Sequence, residues 1–100
     1  MIRIKSLSQL DRHANSEGKN LVVFSESPGK ALRLVDGIAD RLEVNVLHVD
    51  MREMRDVARE YGVDGAGPHF YLYKDGDLKE RGNGTTTKIE LGRMLRRWYR

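Results

Sequence analysis

Apolar and polar positions along the chain change period several times, and each change marks an element. Ile2 and Ile4 alternate with Arg3 and Lys5, the two-residue period of a short strand with one solvated face. Ser6 and Gln9 then make a capping-box pair, in which a hydroxyl caps a helix start and an amide three residues on returns a bond. Leu7, Leu10 and Ala14 supply a helical stripe, and Gly18 ends this helix. Leu21 to Phe24 is continuously apolar, which predicts a strand covered on both faces. Ser27 suits an N-cap and Pro28 a first helical turn, where a missing N–H costs nothing. Leu32, Val35, Ile38, Ala39 and Leu42 continue at helical spacing, with Gly37 interrupting them.

Val44 to Val49 reads as a second buried strand. Met51, Met54, Ala58 and Tyr61 mark one face of a third helix, with Arg52, Arg55, Asp56, Arg59 and Glu60 opposite. A glycine-rich connection, GVDGAGP at 62–68, leads to an aromatic strand from His69 to Tyr73. Lys-Asp-Gly-Asp at 74–77 predicts a tight hairpin, because Asp-Gly suits a type I′ turn. Its partner, Leu78 to Arg81, is mostly polar and reads as an edge strand. Thr85 to Thr87 can cap a last helix. The order is βαβαβαββα. Strands separated by helices pair in parallel, and the final hairpin is antiparallel. The expected architecture is one α/β domain over residues 1–100, a mixed central sheet flanked by helices on both faces.

Composition narrows the chemistry. Hydrophobic residues make up 39% and charged residues 33%, a globular balance. No apolar run approaches the ~20 residues that span a bilayer, and the start MIRIKSLSQL lacks a signal-type apolar stretch. A cytoplasmic protein without membrane attachment is therefore expected. There is no cysteine, which excludes disulfides, thiolate metal sites and cysteine nucleophiles. The net charge of +3 is uneven. Residues 85–100 hold five cations against the single Glu90, a balance of +4, and the other thirteen cations face fourteen carboxylates, a balance of −1. Only the C-terminal segment invites an acidic partner.

The element order resembles the thioredoxin fold, and local residues carry the likeness. LVVF at 21–24 is similar to the family's central strand, LVDGIAD at 34–40 to the helix after the active site, and VLHVD at 46–50 to the next strand. YGVDGAGPHFYLYKDG at 61–76 resembles the family segment in which a proline precedes the hairpin, and Gly84 falls where the family carries a glycine near its last helix. The departures are chemical. The loop that holds Trp-Cys-Gly-Pro-Cys-Lys in thioredoxins reads Ser25-Glu26-Ser27-Pro28-Gly29-Lys30 here and is shorter. The family's buried carboxylate, which moves protons during thiol exchange, matches Val23. Thiol–disulfide exchange needs a thiolate, and no serine replaces one. The resemblance therefore implies fold and peptide-binding architecture without oxidoreductase activity. It is identified as a redox-inactive, cysteine-less member.

Candidate sites follow. The resemblance implies a cis bond at Gly67–Pro68 and an extended peptide paired beside it, a conformation that X–Pro reaches for about 0.5–1 kcal/mol. Ser25, Glu26, Ser27 and Pro28, together with Gly67, Pro68 and His69, are expected to form a shallow groove for a protein or peptide partner. A turn in Pro68 and an ordinary helix cap in Ser27 are the simpler roles. The terminal helix places Leu91, Met94, Leu95 and Trp98 on one face and Arg93, Arg96, Arg97 and Arg100 on the other. The first set is read as core, the second as a solvated face or a basic surface for nucleic acid or an acidic protein. Tyr71, Tyr73 and Tyr99 are the aromatic residues that could stack on bases, unless packing buries them. A more distant alternative comes from Ser27-Pro28, which resembles the serine with which some glutathione transferases activate the glutathione sulfur. Those enzymes need a second, helical domain. His13, His48 and His69 are scattered without metal-ligand spacing, and His48 reads as a structural histidine. No cofactor, no metal and no catalytic residue is expected.

Overall fold

The structure is a computed structural model that describes residues 1–35, 37–65 and 67–100, and of Pro28 the backbone only. The elements run β1 (Ile2–Arg3), α1 (Leu7–Ala14), β2 (Lys19–Ser25), α2 (Pro28–Val35), α3 (Ile38–Arg41), β3 (Asn45–Asp50), α4 (Arg55–Glu60), β4 (His69–Lys74), β5 (Asp77–Gly82) and α5 (Lys88–Tyr99). The five strands form one mixed sheet in the order β1-β3-β2-β4-β5. β3 pairs in parallel with β1 and β2, while β4 pairs antiparallel with β2 and β5. This is the thioredoxin-like α/β arrangement that the element order implied.

The continuous apolar run in β2 has the expected cause. Alternate side chains of a strand point to opposite faces. Val22 and Phe24 join a core with Leu10, Ala14, Val57 and Ala58 from α1 and α4. Leu21 and Val23 join a second core with residues of α2, α3 and α5. Both sets are fully buried, so every position of the run must be apolar. Val23, expected to stand in place of the family's proton-relay carboxylate, contributes only apolar surface.

Local signals set most element ends. Ser6 Oγ accepts the Gln9 N–H at 3.1 Å, and Gln9 Oε1 accepts the Lys5 N–H at 2.6 Å, so the return bond lands one residue before the cap. Thr87 Oγ1 caps α5 through the Glu90 N–H. Asp75 and Gly76 both take positive φ, 52° and 87°, as a type I′ hairpin demands. Gly37, at φ 77°, divides the long apolar stripe into α2 and α3. Two helices are shorter than expected. α1 stops at Ala14, before Gly18, whose N–H and C=O clasp the Asp75 carboxylate and N–H. α4 begins at Arg55 because the Asp50 carbonyl first turns the chain, accepting the N–H groups of Glu53 and Met54.

The terminal helix differs from the reading in one residue. Tyr99, not Trp98, is the fully buried aromatic. Its hydroxyl is shared between the carbonyls of Asn20 (3.1 Å) and Tyr73 (3.0 Å), which locks α5 to the middle of the sheet. Trp98 is half-buried and donates Nε1–H to Glu80 at 2.8 Å. Tyr71 and Tyr73 are buried as well, so none of the three tyrosines offers a stacking platform. Among the described residues no helix is long and apolar enough to cross a membrane.

Candidate functional site

The end of β2 delivers Ser25, Glu26 and Ser27 to the start of α2. The Ser27 carbonyl accepts the Ala31 N–H at 3.2 Å, the first helical bond, which places Ser27 at the cap position. Ser27 is exposed and Glu26 half-buried, with Glu26 Oε1 3.8 Å from Arg55 Nη2. Directly opposite lie Gly67 and Pro68, which lead into β4. Between them opens a cavity of about 450 Å³. Ser25, Glu26, Ser27 and Lys30 give it a polar end, and Ala31, Leu34 and Pro68 an apolar wall. Gly67 and Gly84 complete the lining with bare backbone. A Cβ on Gly84 would stand 3.6 Å from Pro68 Cδ, so these segments touch without side chains between them.

The structure brings together Ser25, Glu26, Ser27, Gly67 and Pro68 as expected, and corrects two details. All peptide bonds among the described residues are trans, including Gly67–Pro68. Gly67 takes φ 92°, a left-handed conformation that a glycine reaches without a Cβ clash. That residue turns the chain into β4, and the commoner trans isomer suffices. The second correction concerns His69. It pairs with Phe24 across the sheet and shares the parity of Tyr71, so its ring points to the α1–α4 side and does not line the cavity. Its Nε2 is buried without a hydrogen-bond partner among the described residues, and burial lowers its pKa. The side chain of Pro28 lies outside the description.

A polar cluster that sequence reasoning missed sits behind the cavity. Ser25 Oγ lies 3.2 Å from His48 Nε2, and both residues are about 2% exposed. Burial lowers the His48 pKa, against the pull of the Asp50 charge, so the ring is held neutral at pH 7. Asp50 is itself buried. Burial pushes its carboxyl up, but the backbone and side-chain bonds from Arg52 outweigh this and hold it below the usual range. Arg3 Nη2 stands 3.7 Å from the same carboxylate. No hydrogen bond joins Asp50 to His48 among the described residues, so the three do not form a serine–histidine–carboxylate relay. Ser25 and His48 pair with each other, and Asp50 with Arg52, where β2 and β3 end. VLHVD carried part of the signal, since positions 48 and 50 share one strand face, but only the β2–β3 register sets Ser25 beside them.

The arginine stripe of α5 divides. Arg97 Nη1 donates to Glu80 at 2.7 Å, which directs it to β5. Arg93 and Arg96 turn the other way, toward α3. Arg100 lies exposed at the helix end. Among the described residues no group of three or more His, Cys, Asp or Glu could hold a metal ion.

The chain contains no thiol with which to exchange a disulfide. Solved thioredoxins share the architecture over nearly its whole length. A mutant thioredoxin from Halobacterium salinarum NRC-1 is 22% identical with a TM-score of 0.81, covering 99% of this chain and 90% of its own. Fasciola hepatica thioredoxin is 22% identical with a TM-score of 0.79, covering 100% of both chains. Thioredoxin from Trypanosoma brucei brucei is 19% identical with a TM-score of 0.82, covering 97% of this chain and 88% of that one. No curated protein matches the sequence. The thioredoxin family model matches residues 30–97, so this cysteine-free chain belongs to the thioredoxin family.

Proposed function

We propose that this chain is a redox-inactive thioredoxin-fold binding module that receives an extended segment of a partner protein in the cavity between the α2 start and Gly67–Pro68. The supporting observation is the cavity itself. It is concave, holds about 450 Å³, and combines an apolar wall with a polar end. Among the described residues it presents no nucleophile suited to redox exchange, since Ser25 is buried against His48 and Ser27 serves at the helix start. Gly67 and Gly84 leave peptide groups accessible, and backbone bonds are how an added strand gains affinity while pockets select its side chains. The reading does not need a cis bond. It rests on the proximity of two backbone segments and on the apolar surface of Ala31, Leu34 and Pro68.

The occupant best suited is a segment with a small or medium apolar side chain for the wall and a free backbone beside Gly67. Amide-resolved NMR with uncharged extended peptides tests this. Shifts at the amides of residues 25–27, 29–31, 67, 69 and 84 are expected, and a Gly84→Leu variant, whose side chain would fill the cavity, is expected to lose them. A cavity region that stays silent with every peptide, or shifts that persist unchanged in Gly84→Leu, would refute the proposal.

A further inference from the structure

Leu34 belongs to two recesses at once. On one side it walls the Pro68 cavity, and on the other it forms, with Ile38, the floor of a separate groove of about 370 Å³ between the α2–α3 break and α5. The rim of this second groove is cationic. Arg41 enters from α3, and Lys88, Arg93 and Arg96 enter from α5. Among the described residues none of the four forms an ion pair with a carboxylate, whereas Arg97 on the same helix does. Ile89 stands on this rim 69% exposed. Gly92 lies beneath Arg96, and a Cβ there would come within 3.3 Å of Arg96 Nη1. The glycine thus lets the guanidinium lie back across α5 beside the groove.

We propose that this groove docks an acidic segment of a partner protein that presents an apolar side chain between carboxylates. The chemistry is complementary at both levels. Four cations without carboxylate partners among the described residues surround an apolar floor, and an apolar side chain flanked by Asp or Glu would cover Leu34, Ile38 and Ile89 while pairing the rim. Sequence spacing could not disclose this site, because Arg41 and Lys88 are distant in the chain and join only when α3 packs on α5. Nucleic acid fits less well. A strand would need a basic track and aromatic faces to stack on. Here the cations ring a short concavity, Arg97 is drawn aside by Glu80, and Tyr71, Tyr73 and Tyr99 are buried.

Fluorescence anisotropy on the full chain tests the assignment with a labelled peptide in which Asp and Glu flank leucines. Binding at low ionic strength is expected, weakening as salt rises. The double variant Arg93→Glu/Arg96→Glu, and separately Arg41→Glu from the opposite rim, should weaken it by about tenfold or more. Replacing the leucines by serine should weaken it similarly. Arg97→Glu, outside the groove, should leave affinity within about twofold. Gly84→Leu should leave it unchanged, which separates this groove from the Pro68 cavity. No binding at low salt, or equal binding to the Arg93→Glu/Arg96→Glu variant, overturns the proposal. So does a single-stranded RNA of equal charge that binds more tightly than the peptide and loses affinity in the same variant. All four substituted arginines are exposed, so thermal unfolding of the variants should stay close to that of the parent.

Discussion

The two faces of the sheet are built from the same strands but packed in different ways. Toward α1 and α4, aromatic rings fill the space. Phe24 meets Tyr71 edge-on at 5.1 Å and Tyr61 at 5.9 Å, and Tyr71 meets Tyr73 at 6.5 Å. Their polar ends are closed off, with the Tyr61 hydroxyl on Asp11 at 2.6 Å and the Tyr71 hydroxyl on the Tyr61 carbonyl at 2.7 Å. The recess on that side, beside Met51 and Val63, holds only about 10 Å³. Toward α2, α3 and α5 the side chains are mainly aliphatic, the helix layer breaks at Gly37, and recesses of about 450 and 370 Å³ remain. Large rings seal a face. An interrupted helix layer leaves room for ligands. On the proposed reading, the first face carries stability and the second recognition.

The strongest challenge to this division is Phe24→Ala. It removes the ring at the centre of the sealed face and should cost about 3–5 kcal/mol, read from urea unfolding. A loss below about 1 kcal/mol would mean that the aromatic face does not carry the load assigned to it. Tyr99→Phe comes next. It deletes a buried hydroxyl shared by two carbonyls and should cost about 1–2 kcal/mol, with the open face otherwise intact.

Acidification probes the polar cluster behind the cavity. The His48 and His69 pKa values are lowered in the fold from 6.5, chiefly by burial. As pH falls through that value, the unfolded chain takes up protons that the native rings refuse, so stability should decline below about pH 6.5. Asp50 acts in a lower range. Its folded pKa lies below 3.8, so its contribution is complete above that value and is lost as pH falls through the folded one. Urea midpoints measured across this range should show a shallower slope in His48→Asn, and an unchanged slope would remove His48 from the account.

Smaller effects define the open face. Gly84→Leu should alter stability by about 0.5 kcal/mol or less while abolishing occupancy of the Pro68 cavity. Arg97→Ala removes an exposed pair with Glu80 and should cost only about 0.2–1 kcal/mol. A larger loss would show that the β5–α5 contact braces the open face more firmly than its exposure suggests.

Much of this molecule could be read from short-range pattern. Apolar period, caps at Ser6 and Thr87, the Asp75-Gly76 turn and the missing thiols act within a few residues, so they survive translation into three dimensions unchanged. The tertiary structure decided what those patterns leave open. Strand parity turned His69 away from the cavity, and a left-handed Gly67 accommodated a trans proline. Register set Ser25 beside His48, and helix packing added Arg41 and Lys88 to one half of an arginine stripe. Each of these outcomes depends on which distant segments meet and on which face of an element looks inward. Hydrophobic periodicity specifies that an element has an inward face, but long-range packing specifies what that face meets.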